Sequence, residues 1–492
     1  MSGGGNRDLY PAFVRRTLDN PAPPYMDNPQ DGKWAAGLEG QGSQHRVNSL
    51  LAVGLAAILV LAPLPLGSNR PAFWTIWAIA VGVLGLCYVA GMAVVGARPR
   101  ISIGTFWPET VLFAGLLCWI LLQIVPIGGL VDLTINTQQG TQIRSRTISL
   151  DPGGTRLAYL QFLTYGVLFF LMLQVAANRR RARRMLLTLF VVIAGFAALG
   201  LASLTLLGDS ILGLPKSAYL GFATGTFVNR NSYATFLAIG IVVGLPMLIE
   251  VVRDRSVRTF SVRLGLSSLL IVGLGIIAAT LFSTGSRMGT LSAATGAIVA
   301  VAAVLFSRRG NWRAAAMGLA VLLAGTIALL GVTGTALLER LVFTDGIDQG
   351  RVELHAQTWD AIMMRPLLGY GGEAFASAFP LFQLSASQGD LLWEHAHSTY
   401  LALWFELGLV AGSIPLAIVA LLGARCAWSI ADDSSRVTSA AALGAIFVFA
   451  AHSLLDFSAE IEANAFLLVA IVALGAAGAK SDRASISQRY RS

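Results

Sequence analysis

The stretch whose reading decides the fold is EHAHSTYLALWFELGLVAG, residues 394–412, where a polar, histidine-bearing segment runs directly into an apolar helical run. Before it lies a mixed and polar segment, residues 336–397, and on both sides the chain is a succession of long apolar stretches. Those near 48–67, 73–96, 109–128, 157–177, 185–207, 231–252, 263–283, 288–307, 314–335, 398–422, 437–457 and 460–478 each suffice, at about 18–24 residues, for a hydrocarbon layer of about 30 Å. The expected fold is an all-α polytopic membrane protein with about 12 transmembrane helices. Residues 336–397 then form a long, partly helical loop between spans 9 and 10.

Composition agrees. With 55% hydrophobic residues, 12% charged residues and a mean hydropathy of +0.68, the chain has more apolar surface than a soluble core can bury. Cys87, Cys118 and Cys426 fall inside or at the end of apolar segments, so no disulfide framework is implied. Residues 1–46, carrying PAPPYMDNPQDG, read as a disordered cytoplasmic tail. Residues 47–479 read as one transmembrane domain, and residues 480–492 as a second cytoplasmic tail. The first apolar segment starts too late for a cleaved signal peptide.

The net charge of +9 follows from topology and calls for no nucleic-acid partner. Sorted by loop, 25 of the 35 basic residues lie on the side of the two tails and 10 on the other. The asymmetry puts both termini in the cytoplasm and the long loop outside, which in a Gram-negative cell means the periplasm. No nucleotide-binding fingerprint occurs, so the energy of any reaction must arrive with the substrate.

Nine of the ten outer basic residues are arginines, whose planar fork of donors holds phosphate oxygens bidentately and never deprotonates. Arg70, Arg144 and Arg146 read as ordinary loop charges. Arg287, in FSTGSRMGTLSAATG, sits in a tight turn beside small residues that let an anion approach; snorkelling to the interface is the competing reading. Arg230, in GTFVNRNSYATF, opens a span where free N–H groups favour an anion, against a plain Asn-capped helix start. Arg351 opens RVELHAQTWDAIMMRPLLGYGGEAF, in which Val352, Ala356, Trp359, Ile362 and Met363 recur at helical spacing before Pro366. That is an amphipathic helix, set on the bilayer surface or roofing a cavity.

In EHAHSTYL, Glu394 and His397 share a face if the helix reaches back that far, while His395 points elsewhere. A histidine oriented by a carboxylate is suited to take a proton from a sugar hydroxyl. A metal site using Asp390, Glu394 and both histidines, and a purely structural helix start, are the competing readings. In AHSLLDFSAEIEANAF, His452 and Asp456 lie four apart near the outer end of a span, with Glu460 and Glu462 beyond, either as supporting functional groups or as structural hydrogen bonds.

Taken together and in order, GTFVNRNSYA, STGSRMG, the Arg351 helix with PLLGYG, EHAHSTYLALWFELGLVAG and AHSLLDFSAEIEANAF resemble the superfamily of O-antigen ligases and of O-antigen and exopolysaccharide polymerases, over roughly residues 220–475. These proteins usually carry Asn where this chain has Ser398. The resemblance implies a metal-independent, inverting glycosyltransferase of the bacterial inner membrane that needs no cofactor. It would use a glycan on undecaprenyl pyrophosphate and pass it to lipid A-core or to a growing polysaccharide, among membrane lipids. It further implies that Arg287 and Arg351, with help from Arg230, hold the pyrophosphate, that His397 activates the acceptor hydroxyl, and that Glu394 or His395 orients it. The competing class is a polysaccharide transporter or flippase, which would gather its ionisable residues at the bilayer midplane.

Overall fold

The computed structural model describes residues 29–129, 133–136, 140–253, 259–306, 346–383, 393–431 and 435–480. Among them, nine helices are long and apolar enough to cross a membrane, and two shorter apolar helices accompany them. The long helices are α1 (Pro29–Leu61), α2 (Pro71–Val94), α3 (Trp107–Gln123), α4 (Pro152–Ala176), α5 (Arg179–Thr205), α6 (Arg230–Arg253), α7 (Phe260–Ser283), α8 (Arg287–Phe306) and α11 (Leu409–Ser429). Between α8 and α11 lie α9 (Gly346–Met364) and α10 (Thr399–Leu407); α12 (Arg436–His452) and α13 (Glu462–Ala476) are the shorter pair. The span expected near 314–335 and the tail residues 1–28 and 481–492 lie outside the described residues. Helix α1 begins at Pro29, so helix extends into the segment expected as tail.

Local chemistry starts these helices where the sequence allows. Asp151 accepts from the backbone N–H of Gly154 at 2.9 Å with Pro152 as the first helical residue of α4, and Asn178 accepts from that of Arg181 at 3.0 Å to start α5. The span expected at 398–422 instead begins at Leu409. Gly408, at φ 81° and ψ 163°, breaks the helix there and leaves α10 as a separate short element.

Two cores result. The larger runs through the bundle, with Phe190, Tyr233, Phe236, Val448 and Phe466 fully buried. The second gathers Leu354, Tyr370, Phe375, Phe379, Phe382 and Phe405, so the long loop carries an aromatic core of its own. It is pinned to the bundle by Gln123, whose Nε2 donates to the carbonyls of Leu368 (3.0 Å) and Glu406 (2.9 Å). A two-stranded antiparallel hairpin, Thr134–Asn136 with Gln142–Arg144, adds Ile135 to that core.

Helix α9 forms as expected but buries a different face. Leu354, Thr358, Ala361 and Ile362 are covered, whereas Val352, Trp359 and Met363 are exposed. The helix therefore has apolar residues on two sides. One packs on the aromatic core, and the other lies open, as suits a helix at a lipid interface.

Candidate active site

The chain segments bearing the singled-out residues converge at one end of the bundle. The Ser398–Thr399 turn docks on the loop after α12: Ser398 Oγ donates to the carbonyl of Ser453 at 3.2 Å, and the Thr399 N–H donates to the same oxygen at 3.1 Å. Ser398 is thus a buried hydroxyl spent on backbone. Beside it His397 adopts φ 49°, a left-handed conformation that a non-glycine residue holds only when its surroundings impose it. His355 contributes to that frame, its Nε2 lying 3.3 Å from the His397 carbonyl oxygen.

Helix α10 begins at Thr399, so Glu394 and His397 do not share a helical face. The carboxylates that meet the histidines come from the 456–460 loop. His395 Nδ1 is 3.2 Å from Glu460 Oε2, and His397 Nδ1 is 4.0 Å from Asp456 Oδ1. Asp456 also lies 3.6 Å from His452 Nδ1 and accepts from Ser458. Phe457 lies between the two histidines, stacked on His395 at 4.0 Å and edge-on to His397 at 5.0 Å. Glu394 is exposed, and Asp390, named in the alternative metal reading, lies outside the described residues.

Neighbouring histidines therefore have opposite proton affinities. Burial, reinforced by the charges of Arg351, His395 and His355, pushes His397 down to about 3, so its ring is neutral at physiological pH. Burial opposes the charged form of His395 as well, but the hydrogen bond and charge of Glu460, with Glu373 and Glu394, outweigh it and raise its pKa.

Both histidines line a cavity of about 360 Å³ together with Glu394, Trp393, Tyr219, Asn229, Asn69 and Arg70. Arg70, read from sequence as an ordinary loop charge, is thus a wall of the site. Arg230 lies behind Tyr219, its guanidinium 4.3 Å from the Phe222 ring and 5.6 Å from that of Tyr219. A side chain at Gly285 would come within 3.3 Å of Arg230 Nη1, so Arg230 lies against the turn that leads to Arg287. That turn is held by Ser286, whose Oγ accepts from the Gly289 N–H at 3.1 Å, and Arg287 stands exposed at the start of α8. Arg351 is close enough to depress His397, and its Nε is buried without a hydrogen-bond partner. Arg365 turns away, donating to the Ile148 carbonyl at 3.2 Å over the Tyr370 ring.

Sequence reasoning missed Arg70 and the pairing of Glu460 with His395. The ELGLVAG-to-AHS order carried no distance information, and only the acidic run after Asp456 hinted at the second.

One arginine and two histidines thus line one cavity on a membrane bundle, with Arg351 near enough to act on His397. Residues 272–416 match the O-antigen ligase family. The O-antigen ligase match takes in Arg287, Arg351, His395 and His397 and ends before Asp456 and Glu460. It supports ligase- or polymerase-type action on a lipid-linked glycan with a polysaccharide acceptor, in a bacterial membrane protein with many spanning helices. No curated protein matches the chain.

Proposed function

We propose that the protein transfers a glycan from undecaprenyl pyrophosphate to a sugar hydroxyl at the periplasmic face of the inner membrane, in the manner of an O-antigen ligase acting on lipid A-core. A polymerase that hands the glycan to another repeat unit would use the same chemistry. The observation that carries the reading is the neutral His397, buried beside Asp456, in a cavity walled by Arg70 and flanked by Arg351.

In this reading the acceptor hydroxyl gives its proton to the His397 imidazole as its oxygen attacks the anomeric carbon. The bond from that carbon to the pyrophosphate oxygen breaks, and in-line displacement inverts the centre. Arg351, Arg287, Arg230 and Arg70 meet the charge that grows on the leaving group, and His395, whose proton affinity Glu460 raises, adds to them. Asp456, 4.0 Å from the His397 ring, stabilises it once it is charged. No metal ion or nucleotide enters this scheme. Both termini face the cytoplasm, as the basic-residue asymmetry supports.

Replacing His397 with Ala should lower transfer by about 10²–10⁴-fold while the protein still reaches the membrane. Arg287→Ala should lower it as well; wild-type transfer in both variants would sink the site. A deletion strain, its lipopolysaccharide and secreted polymer separated on gels, distinguishes the two acceptors. Cores without any repeat, with long lipid-linked chains accumulating, indicate a ligase, and cores bearing a single repeat indicate a polymerase.

A further inference from the structure

A second cavity, of about 420 Å³, lies on the other side of the His395–Glu460 pair. One end is apolar, formed by Leu416, Val419, Ala420, Leu468 and Val469 from α11 and α13, and its rim at Ala420 and Ala450 is exposed. The other end carries three carboxylates, Glu373, Glu406 and Glu460. Its volume is that of an ordinary small-ligand site, and the combination of an apolar shaft with a few convergent polar groups is what an amphiphile requires.

Glu460 links the two cavities. It lines the second, and its Oε2 holds His395, which lines the first. Its other oxygen, Oε1, is buried with no hydrogen-bond partner, an acceptor left open. Thr399 and Ser453, which flank the His397 turn, line the second cavity too, so a group bound there sits next to the base.

Charge separates the two spaces. Arg70 lines the first cavity, and Arg351 bears on His397 from beside it, which favours a pyrophosphate. Among the described residues no Arg or Lys lines the second, so it offers a pyrophosphate no cationic partner, whereas its Glu373, Glu406 and Glu460 are matched to sugar hydroxyls. Burial above all, with the charge of Glu460 and against that of His395, pushes Glu373 up to about 7, and burial raises Glu406 as well, so these carboxyl groups keep their protons readily and can both donate to and accept from sugar hydroxyls.

We propose that the second cavity binds the acceptor, an amphiphile whose apolar chain lies among Val419, Ala420 and Leu468 and whose reacting sugar is uncharged and rich in hydroxyls. This rests on the transferase reading above and adds to it the acceptor's class and route: it comes laterally from the bilayer, past α11 and α13, and meets the donor across the His395–Glu460 pair.

The test uses the full chain in proteoliposomes with two photoreactive probes of equal chain length, an alkyl glucoside and an alkyl phosphate, and locates the labelled peptides by mass spectrometry. The glucoside should label α11 and α13 about tenfold more strongly than the phosphate, a difference of about 1.4 kcal/mol. Ala420→Trp, which fills the shaft, should cut that labelling by a similar factor, while the conservative Ala420→Ser should keep it. Undecaprenyl pyrophosphate should not compete. Equal labelling by both probes, labelling unchanged by Ala420→Trp, or displacement by the donor lipid would each overturn the proposal. The transferase reading stands or falls separately, on His397→Ala.

Discussion

At the scale of single residues, the two histidines divide one task because their surroundings differ. His397 is buried near Arg351 and stays neutral; His395 is held by Glu460, which raises its proton affinity. The neutral base is therefore available at every pH well above about 3, so no acid limb near neutrality should come from His397. For His395 the sign is opposite. Its pKa is raised, so its cationic form persists above the ordinary histidine range and is lost as pH rises through the shifted value. Transfer should decline on that alkaline limb. Glu460→Gln removes the carboxylate that holds the charge, so the limb should move to lower pH, read as a pH–rate profile, whereas Glu460→Asp should restore much of it. An unchanged limb in Glu460→Gln would remove His395 from the anion-binding role.

At the scale of elements, the break at Gly408 sets where α10 ends and α11 begins. A Cβ on Gly408 would lie 2.3 Å from the Leu367 carbonyl oxygen, and its backbone is left-handed, so Gly408→Ala should cost about 1–3 kcal/mol. Thermal unfolding in detergent checks this, with Gly423→Ala as the comparison. Gly423 lies within a helix where a Cβ would make only ordinary contact with Ile446, and alanine there should be neutral or better by about 1 kcal/mol. The same junction explains the altered span boundary. Residues 400–422 are apolar but for Glu406 and Ser413, and nothing in their hydropathy registers a glycine whose conformation is fixed by the PLLGYG turn packed against it. Helix α9 teaches the same lesson. Its residues show more than one apolar face, and the aromatic core around Tyr370 and Phe405 decides which of them is covered.

At the scale of the whole molecule, the site depends on helices far apart in sequence being locked together. Asn464 of α13, fully buried, donates through Nδ2 to the carbonyls of Ser232 on α6 (3.0 Å) and Ser458 in the 456–460 loop (3.1 Å). Asn464→Ala should cost about 1–3 kcal/mol and lower transfer with it, because it frees the loop that carries Asp456 and Glu460. At the opposite end of the bundle Arg425 forms a two-pronged ion pair with Glu109, at 2.5 and 3.0 Å. Breaking it with Glu109→Gln should lower stability by about 3 kcal/mol yet leave the KM for donor unchanged. Unfolding and KM measured on both variants separate a loss of the fold from a loss of the site. A raised donor KM in Glu109→Gln would contradict this division.

The sequence by itself determined the membrane class, most of the spanning segments, the stretch that matches the O-antigen ligase family and the two histidines near its C-terminal end. Hydropathy and motif order are local properties, legible along a single chain. Only the tertiary structure decided which carboxylates meet those histidines, that Arg70 faces the cavity, that α9 buries Leu354 and leaves Trp359 exposed, and that a second, acid-headed cavity adjoins the first. His395 and Glu460 are separated by 65 positions, and their pairing depends on how α10 docks against the loop between α12 and α13. Such docking is settled by packing and backbone hydrogen bonds across the bundle, which no spacing along the chain encodes.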